Sequence, residues 1–106
     1  MFSNPIIVVY ARLEMTCETM AAMREPLLTM QAASRAEDVC HDYTFSVELA
    51  EPNVLRITER WENTAALEAH FAQPHMGVFQ AAMAANPPVD RRATFYEVNQ
   101  VPRPGT

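Results

Sequence analysis

Residues 40–61, CHDYTFSVELAEPNVLRITERW, read as a β-hairpin, and the reading of this stretch decides the fold. From Cys40 the sequence alternates. His41, Tyr43, Phe45, Val47 and Leu49 share one parity, against Cys40, Asp42, Thr44, Ser46 and Glu48, the period of a strand with one buried face. Glu51, Pro52 and Asn53 supply a turn. Val54 to Trp61 is the returning strand, with Leu55, Ile57, Glu59 and Trp61 on one face and Arg56, Thr58 and Arg60 on the other. Pairing Leu49 with Leu55 places Phe45 opposite Glu59 and Tyr43 opposite Trp61.

Working outward, Ile6 to Glu14 is a β-branched strand. Ile7, Val9, Ala11 and Leu13 lie on one side and Ile6, Val8 and Tyr10 on the other, so its first half is apolar on both faces and belongs in the centre of a sheet. Thr16 caps a helix with Glu18 in its first turn. Met20, Met23, Leu27 and Met30 then recur at helical spacing up to about Ala33, and Pro26 is expected to bend or divide that helix. Ser34 to Asp38 is a polar connection. Beyond the hairpin, Asn63 or Thr64 caps a helix over 65–72, which Pro74 interrupts. A third helix runs from about His75 to Ala85, Asn86-Pro87-Pro88 stops it, and Arg91 to Val98 is the last strand. The order βαββααβ is the split βαβ pattern of an α+β, ferredoxin-like sandwich. It is one domain over residues 1–106, with 99–106 a tail that is loose or laid along a partner.

Composition narrows the function classes. The 106 residues are 49% hydrophobic and 20% charged, ordinary for one globular domain. Two glycines, Gly77 and Gly105, cannot build a phosphate-cradling loop. All eight basic residues are arginine, which excludes Schiff-base chemistry and, with high alanine content, points to a GC-rich bacterial genome. The net charge of −5 has the wrong sign for wrapping nucleic acid or anionic lipid. Cys17 and Cys40 make no disulfide framework and no CxxC pair. The start lacks the basic region and cleavage site of a signal peptide, and no stretch approaches a membrane span. A cytoplasmic protein is expected.

Glu59 is the anomaly. It lies on an apolar strand face between Ile57 and Trp61, where a carboxylate must be paired with an arginine or helix N-terminus, or hold a raised pKa that suits acid–base work. His70, beside Leu67 and Phe71, sits at the edge of the inward helical stripe. His75 shares a face with Phe79, Ala82 and Met83, and Pro74 between the histidines lets both point inward. At a helix N-terminus His75 is expected to be neutral, as a base requires. A metal site is not expected, because HxxxxH lacks one-face ligand spacing and no carboxylate or cysteine is expected nearby. Asn63 reads as a cap or as an oxygen-binding amide. His41 has the parity of Tyr43. The methionines read as core filler that also suits a flat apolar ligand.

Glu59-Arg-Trp61-Glu-Asn63, then Ala66-Leu-Glu-Ala-His70-Phe, then Pro74-His75-Met resembles the antibiotic biosynthesis monooxygenase family, in which E-x-W, L-x-x-H and P-H recur in this order. Ser34-Arg-Ala-Glu37-Asp-Val-Cys40-His-Asp-Tyr43 is similar to the family's S-R-x-E-P-G-C-x-x-Y stretch, with Asp38-Val39 in place of Pro-Gly. The resemblance spans about residues 5–98. It implies a ferredoxin-like fold paired face to face in a dimeric α/β-barrel, and in many members oxygenation of phenols or quinols by O2 without metal or flavin. The haem-degrading branch's asparagine, tryptophan and histidine fall at Ala11, His70 and Gln80, so haem is not expected.

The resulting expectation is a cofactor-independent monooxygenase acting on a small quinol or polycyclic phenol. His70, His75, Tyr43 and Trp61 would line one pocket as the catalytic residues, a neutral histidine or Tyr43 linked to one taking the phenolic proton, with Glu59 beneath as orienter and Met23, Leu27 and Met30 closing the roof. Asn63, His41 and Phe79 would contribute to substrate binding, and the Trp61 N–H would be free for a reduced oxygen species. A homodimer is expected through the face carrying Ile6, Val8, Tyr10 and Val54. The alternatives are an isomerase of a small carbonyl compound, a phosphorylated one if an Arg91–Arg92 pair points into the pocket, and a ligand-binding or stress-response module without turnover.

Overall fold

The computed structural model describes residues 4–105. Its elements are β1 (Ile6–Glu14), α1 (Cys17–Arg35), β2 (Cys40–Val47), β3 (Val54–Trp61), α2 (Thr64–Phe71), α3 (Pro74–Ala85) and β4 (Asp90–Val98). The four strands form one antiparallel sheet in the order β2-β3-β1-β4, the split βαβ arrangement of a ferredoxin-like fold. β1 is central, as its two apolar faces require.

α1 is capped at Thr16 by a reciprocal pair: the Thr19 N–H donates to Thr16 Oγ1 and the Thr16 N–H to Thr19 Oγ1. The helix runs undivided through Pro26 to Arg35. One missing backbone bond is outweighed by the stripe of Met23, Leu27 and Met30, all buried against the sheet, each contributing about 1.5–3 kcal/mol of burial. α1 also protects the edge of the sheet. Gln31 Oε1 accepts the Phe45 N–H at 2.8 Å, and Arg35 Nε donates to the Tyr43 carbonyl at 2.7 Å, so the outward backbone groups of β2 are not left as a template for another strand.

The hairpin register differs from the one expected. Tyr43 faces Glu59, Phe45 faces Ile57 and Val47 faces Leu55. Leu49 lies in the connecting loop, fully exposed. The loop begins at Glu48, whose N–H donates to the Val54 carbonyl, and the register moves by two residues. An even shift changes partners without changing faces, so Tyr43 and Phe45 remain inward. A bulge between Cys40 and Asp42 then sets Cys40 against Trp61 and leaves His41 exposed. His41 therefore does not share the Tyr43 face.

The outer sheet face is less open than its sequence suggests. Val8 and Val54 are buried within the single chain, while Tyr10 and Tyr96 stand about half exposed, their rings edge to face at 6.1 Å. β4 is exposed on both faces from Arg91 to Glu97, because the helices cover only the β2, β3 and β1 side. Val101 to Gly105 are exposed beyond the last strand.

Candidate active site

Alternation along β3 directs Leu55, Ile57, Glu59 and Trp61 under the helices. Trp61 is fully buried and Glu59 is 8% exposed. The indole N–H of Trp61 donates to Glu59 Oε1 at 2.9 Å, which corrects the expectation that this N–H is free. Among the described residues Glu59 pairs with neither an arginine nor a helix N-terminus, its one hydrogen bond being that from Trp61. Burial pushes the Glu59 carboxyl up to about 7, with the charge of Glu37 adding to the effect and the Trp61 bond opposing it. Glu59 Oε2 has no hydrogen bond among the described residues.

Around this pair lies a stack of rings. Trp61 and His70 are 4.4 Å apart, Tyr43 and His70 5.4 Å, and Tyr43 and Trp61 6.3 Å. Tyr43 and His70 are buried. Burial, then the charge of Glu59, raises the Tyr43 phenol well above its ordinary value. Burial lowers His70 despite its bond to Glu37, so its ring is neutral near pH 7.

Glu59 and Tyr43 form part of the wall of a cleft of about 420 Å³ between the sheet, α3 and the inner face of β4. Val9, Ala11, Ile57, Met76, Phe79 and Phe95 give that cleft its apolar surface, and Arg91 stands in its lining. The cleft exists because no helix covers β4. Strand geometry separates its polar groups. Glu59 pairs with Val9 and Arg91 with Leu13, four residues apart on β1, or about 13 Å.

The expected site residues divide. Tyr43, Glu59 and Phe79 border the cleft, while Trp61 and His70 are buried behind it. His75 lines a different hollow, with Glu37, Asp38 and Gln73. Met23 and Met30 are core, and Leu27 borders a groove along α1 with Phe45 and Val47. Asn63 is the cap of α2, its Oδ1 accepting the Ala66 N–H at 2.9 Å. It shares a separate surface hollow with His41. Arg92 lies on the opposite sheet face from Arg91 and bonds Asp90 at 3.2 Å, so the cleft has no arginine pair.

Two groups were not singled out from the sequence. Arg91 appeared only as half of a pair. Glu37 was hidden in a polar connection, yet its Oε2 lies 2.7 Å from His70 Nδ1 and 2.8 Å from His75 Nε2. The expectation that no carboxylate lies near the histidines is thereby overturned. Separation along the chain concealed it, and its place in the S-R-x-E stretch was the signal that could have found it. These three side chains form a donor set of metal-ligand type.

The family model for antibiotic biosynthesis monooxygenases matches residues 6–82. Among solved structures, a provisionally assigned antibiotic biosynthesis monooxygenase from Deinococcus radiodurans is 29% identical, with a TM-score of 0.84 over 92% of this chain and 96% of that one. A conserved protein of unknown function from Bacteroides thetaiotaomicron, named as a possible oxidoreductase, is 19% identical, with a TM-score of 0.81 over 91% and 100%. A conserved protein from Methanosarcina mazei is also 19% identical, with a TM-score of 0.81 over 88% and 92%. At 19% identity the likeness is one of fold. No curated protein matches the chain. No helix among the described residues is long and apolar enough to cross a membrane.

The raised carboxyl makes stability depend on pH. Between its ordinary value of 4.5 and about 7, folded Glu59 keeps a proton that the unfolded chain has released, so this group's stabilising contribution falls as pH rises through that window. Glu59→Gln removes the dependence. Urea unfolding at about pH 5 and about pH 8 is expected to show the variant gaining on the parent with rising pH, by up to about 3 kcal/mol. A constant difference contradicts the assignment.

Proposed function

The chain belongs to the antibiotic biosynthesis monooxygenase family, and on that premise we propose that it oxygenates a flat phenol or quinol with O2 in the cleft between the sheet and α3, without metal or flavin in that cleft. The observation that carries this reading is Glu59: a carboxyl raised to about 7, at the wall of an apolar cleft, with one oxygen held by Trp61.

The chemistry asks little more of the protein than binding, deprotonation and exclusion of water. Ionised Glu59 takes the phenolic proton. The electron-rich phenolate passes one electron to O2, and the resulting superoxide and phenoxyl radical combine to form a carbon–oxygen bond. Glu59 returns its proton to the new peroxide. Loss of the ring C–H proton and cleavage of the O–O bond then leave a quinone carbonyl and release water. The phenol is oxidised by two electron pairs and O2 is reduced to one carbonyl oxygen and one water. The indole bond holds the carboxylate in one orientation, and the apolar walls of Val9, Phe79 and Phe95 suit a planar ring system. His70 and Trp61 are buried behind the acid, Tyr43 borders the cleft with a phenol raised well above its ordinary value, and His75 lines another hollow, so the proton acceptor in this reading is Glu59.

Oxygen uptake on a panel of hydroquinones, naphthols and anthrones is the test. Turnover is expected to rise with pH through an apparent pKa near 7, and Glu59→Gln to lower it about 10²–10⁴-fold while the fold is kept. No uptake with phenols that demonstrably bind the cleft contradicts the proposal. Conversion of a carbonyl compound without oxygen uptake would transfer the same base to an isomerase.

We also propose that two copies pair through the outer sheet face, where Tyr10 and Tyr96 are about half exposed. Light scattering is expected to give twice the 11.9 kDa chain mass and Tyr96→Asp to reduce it. A single-chain mass for the parent protein contradicts the pairing.

A further inference from the structure

The oxygenation reading gives one buried polar cluster no contact with the substrate. Glu37 in the connection after α1, His70 in the last turn of α2 and His75 in the first turn of α3 bring one donor atom each to within 4.8 Å of one another. Glu37 Oε2 sits between the two imidazoles, and the side chains are 10%, 0% and 20% exposed respectively. Pro74 makes the meeting possible. It starts α3 directly after the end of α2, so two histidines that would diverge on one straight helix converge on one carboxylate.

Two imidazole nitrogens and a carboxylate oxygen match the ligand preference of a borderline divalent cation such as zinc. Around a tetrahedral ion with bonds of about 2.0–2.2 Å, neighbouring donors lie roughly 3.3 Å apart. The present nitrogen–oxygen separations of 2.7 and 2.8 Å are those of hydrogen bonds and need open by only about half an ångström. The three ligands belong to the ends of different elements, where such a shift is small. The fourth position has access. A surface hollow of about 450 Å³ is lined by Glu37 and His75 and also by Asp38 and Gln73, so a cation can enter past a second carboxylate and keep a water. The hollow and the substrate cleft share no lining residue among the described residues, so a bound ion would not occupy the space proposed for the substrate.

We propose that Glu37, His70 and His75 bind a divalent cation of the zinc type, with water in the position open to the hollow. In the metal-free chain the two imidazole N–H groups donate to the carboxylate. The cation takes their place, and the ring protons move to His70 Nε2 and His75 Nδ1. His70 Nε2 has no hydrogen-bond partner among the described residues, so the buried ring can carry its proton there without breaking a hydrogen bond to them. The bound ion cross-links the α1–β2 corner to the α2–α3 corner.

Titration calorimetry of the metal-free protein with zinc chloride near neutral pH tests this. Cys17→Ser is used as background, since Cys17 is exposed and could bind zinc alone. One ion per chain with micromolar or tighter affinity is expected, Glu37→Gln and His75→Ala each weakening it at least tenfold. The unfolding midpoint is expected to rise by about 10 °C at a hundredfold excess of free zinc over the dissociation constant. Absence of binding at micromolar zinc, or affinity unchanged in both variants, overturns the proposal. Should a variant fail to fold, ¹⁵N-histidine spectra of the background protein decide: zinc is expected to move His70 Nδ1 and His75 Nε2, and two unmoved resonances overturn the site. Both readouts are taken without any phenol, so their failure is distinguishable from a failure of oxygen uptake in the cleft.

Discussion

A carboxyl group set into the apolar face of β3 is the constraint on which the rest of the molecule turns. Glu59 occupies a position where alternation requires a core side chain, between Ile57 and Trp61 and opposite both Val9 and Tyr43. A charge there is costly, and the fold answers in two ways. The indole of Trp61 donates to one oxygen, and the proton equilibrium shifts so that the group is neutral over most of the acid range. The single bond from Trp61 is too weak to restore an ordinary carboxylate and strong enough to fix its direction. Trp61, in turn, is buried against His70, and His70 is held by Glu37. The acid on the sheet is thus oriented through a chain of contacts that ends in the connection after α1.

The incomplete helical cover of the sheet gives that acid something to act on. α1 closes the β2 edge with Gln31 and Arg35, whereas β4 is exposed on both faces. The inner side of β4 and the flank of α3 therefore stay apart and leave an apolar cleft that reaches Glu59 at one end and Arg91 at the other. The oxygenation we propose, in which the substrate itself reduces O2, asks for a shaped, water-excluding space and a base of suitable pKa more than for a bound redox group.

The element order and the buried faces were legible in the sequence because both depend on period: two in the strands, helical in α1. Partners were legible only where geometry added nothing. The hairpin loop starts at Glu48, so Leu49 left the strand and every cross-strand pair moved by two, while the even shift kept Tyr43 and Phe45 inward. His41 was lost to a bulge, which no alternation pattern announces. Glu59 stood out because a charge on an apolar face is visible locally. Glu37 did not, because a single acid in a polar connection has no periodicity, and its partners lie 33 and 38 residues away. Asn63 followed the ordinary logic of a helix cap, and Val8 and Val54 were buried by their own chain.

The central claim is a property of one atom group, and carbon NMR of the protein labelled at glutamate side-chain carboxyls reads it directly. With Glu59→Gln identifying the resonance, the account predicts a titration midpoint near 7. A midpoint near the ordinary 4.5 would contradict it, because Glu59 would then be a solvated carboxylate with no special capacity to take and return a proton in the cleft.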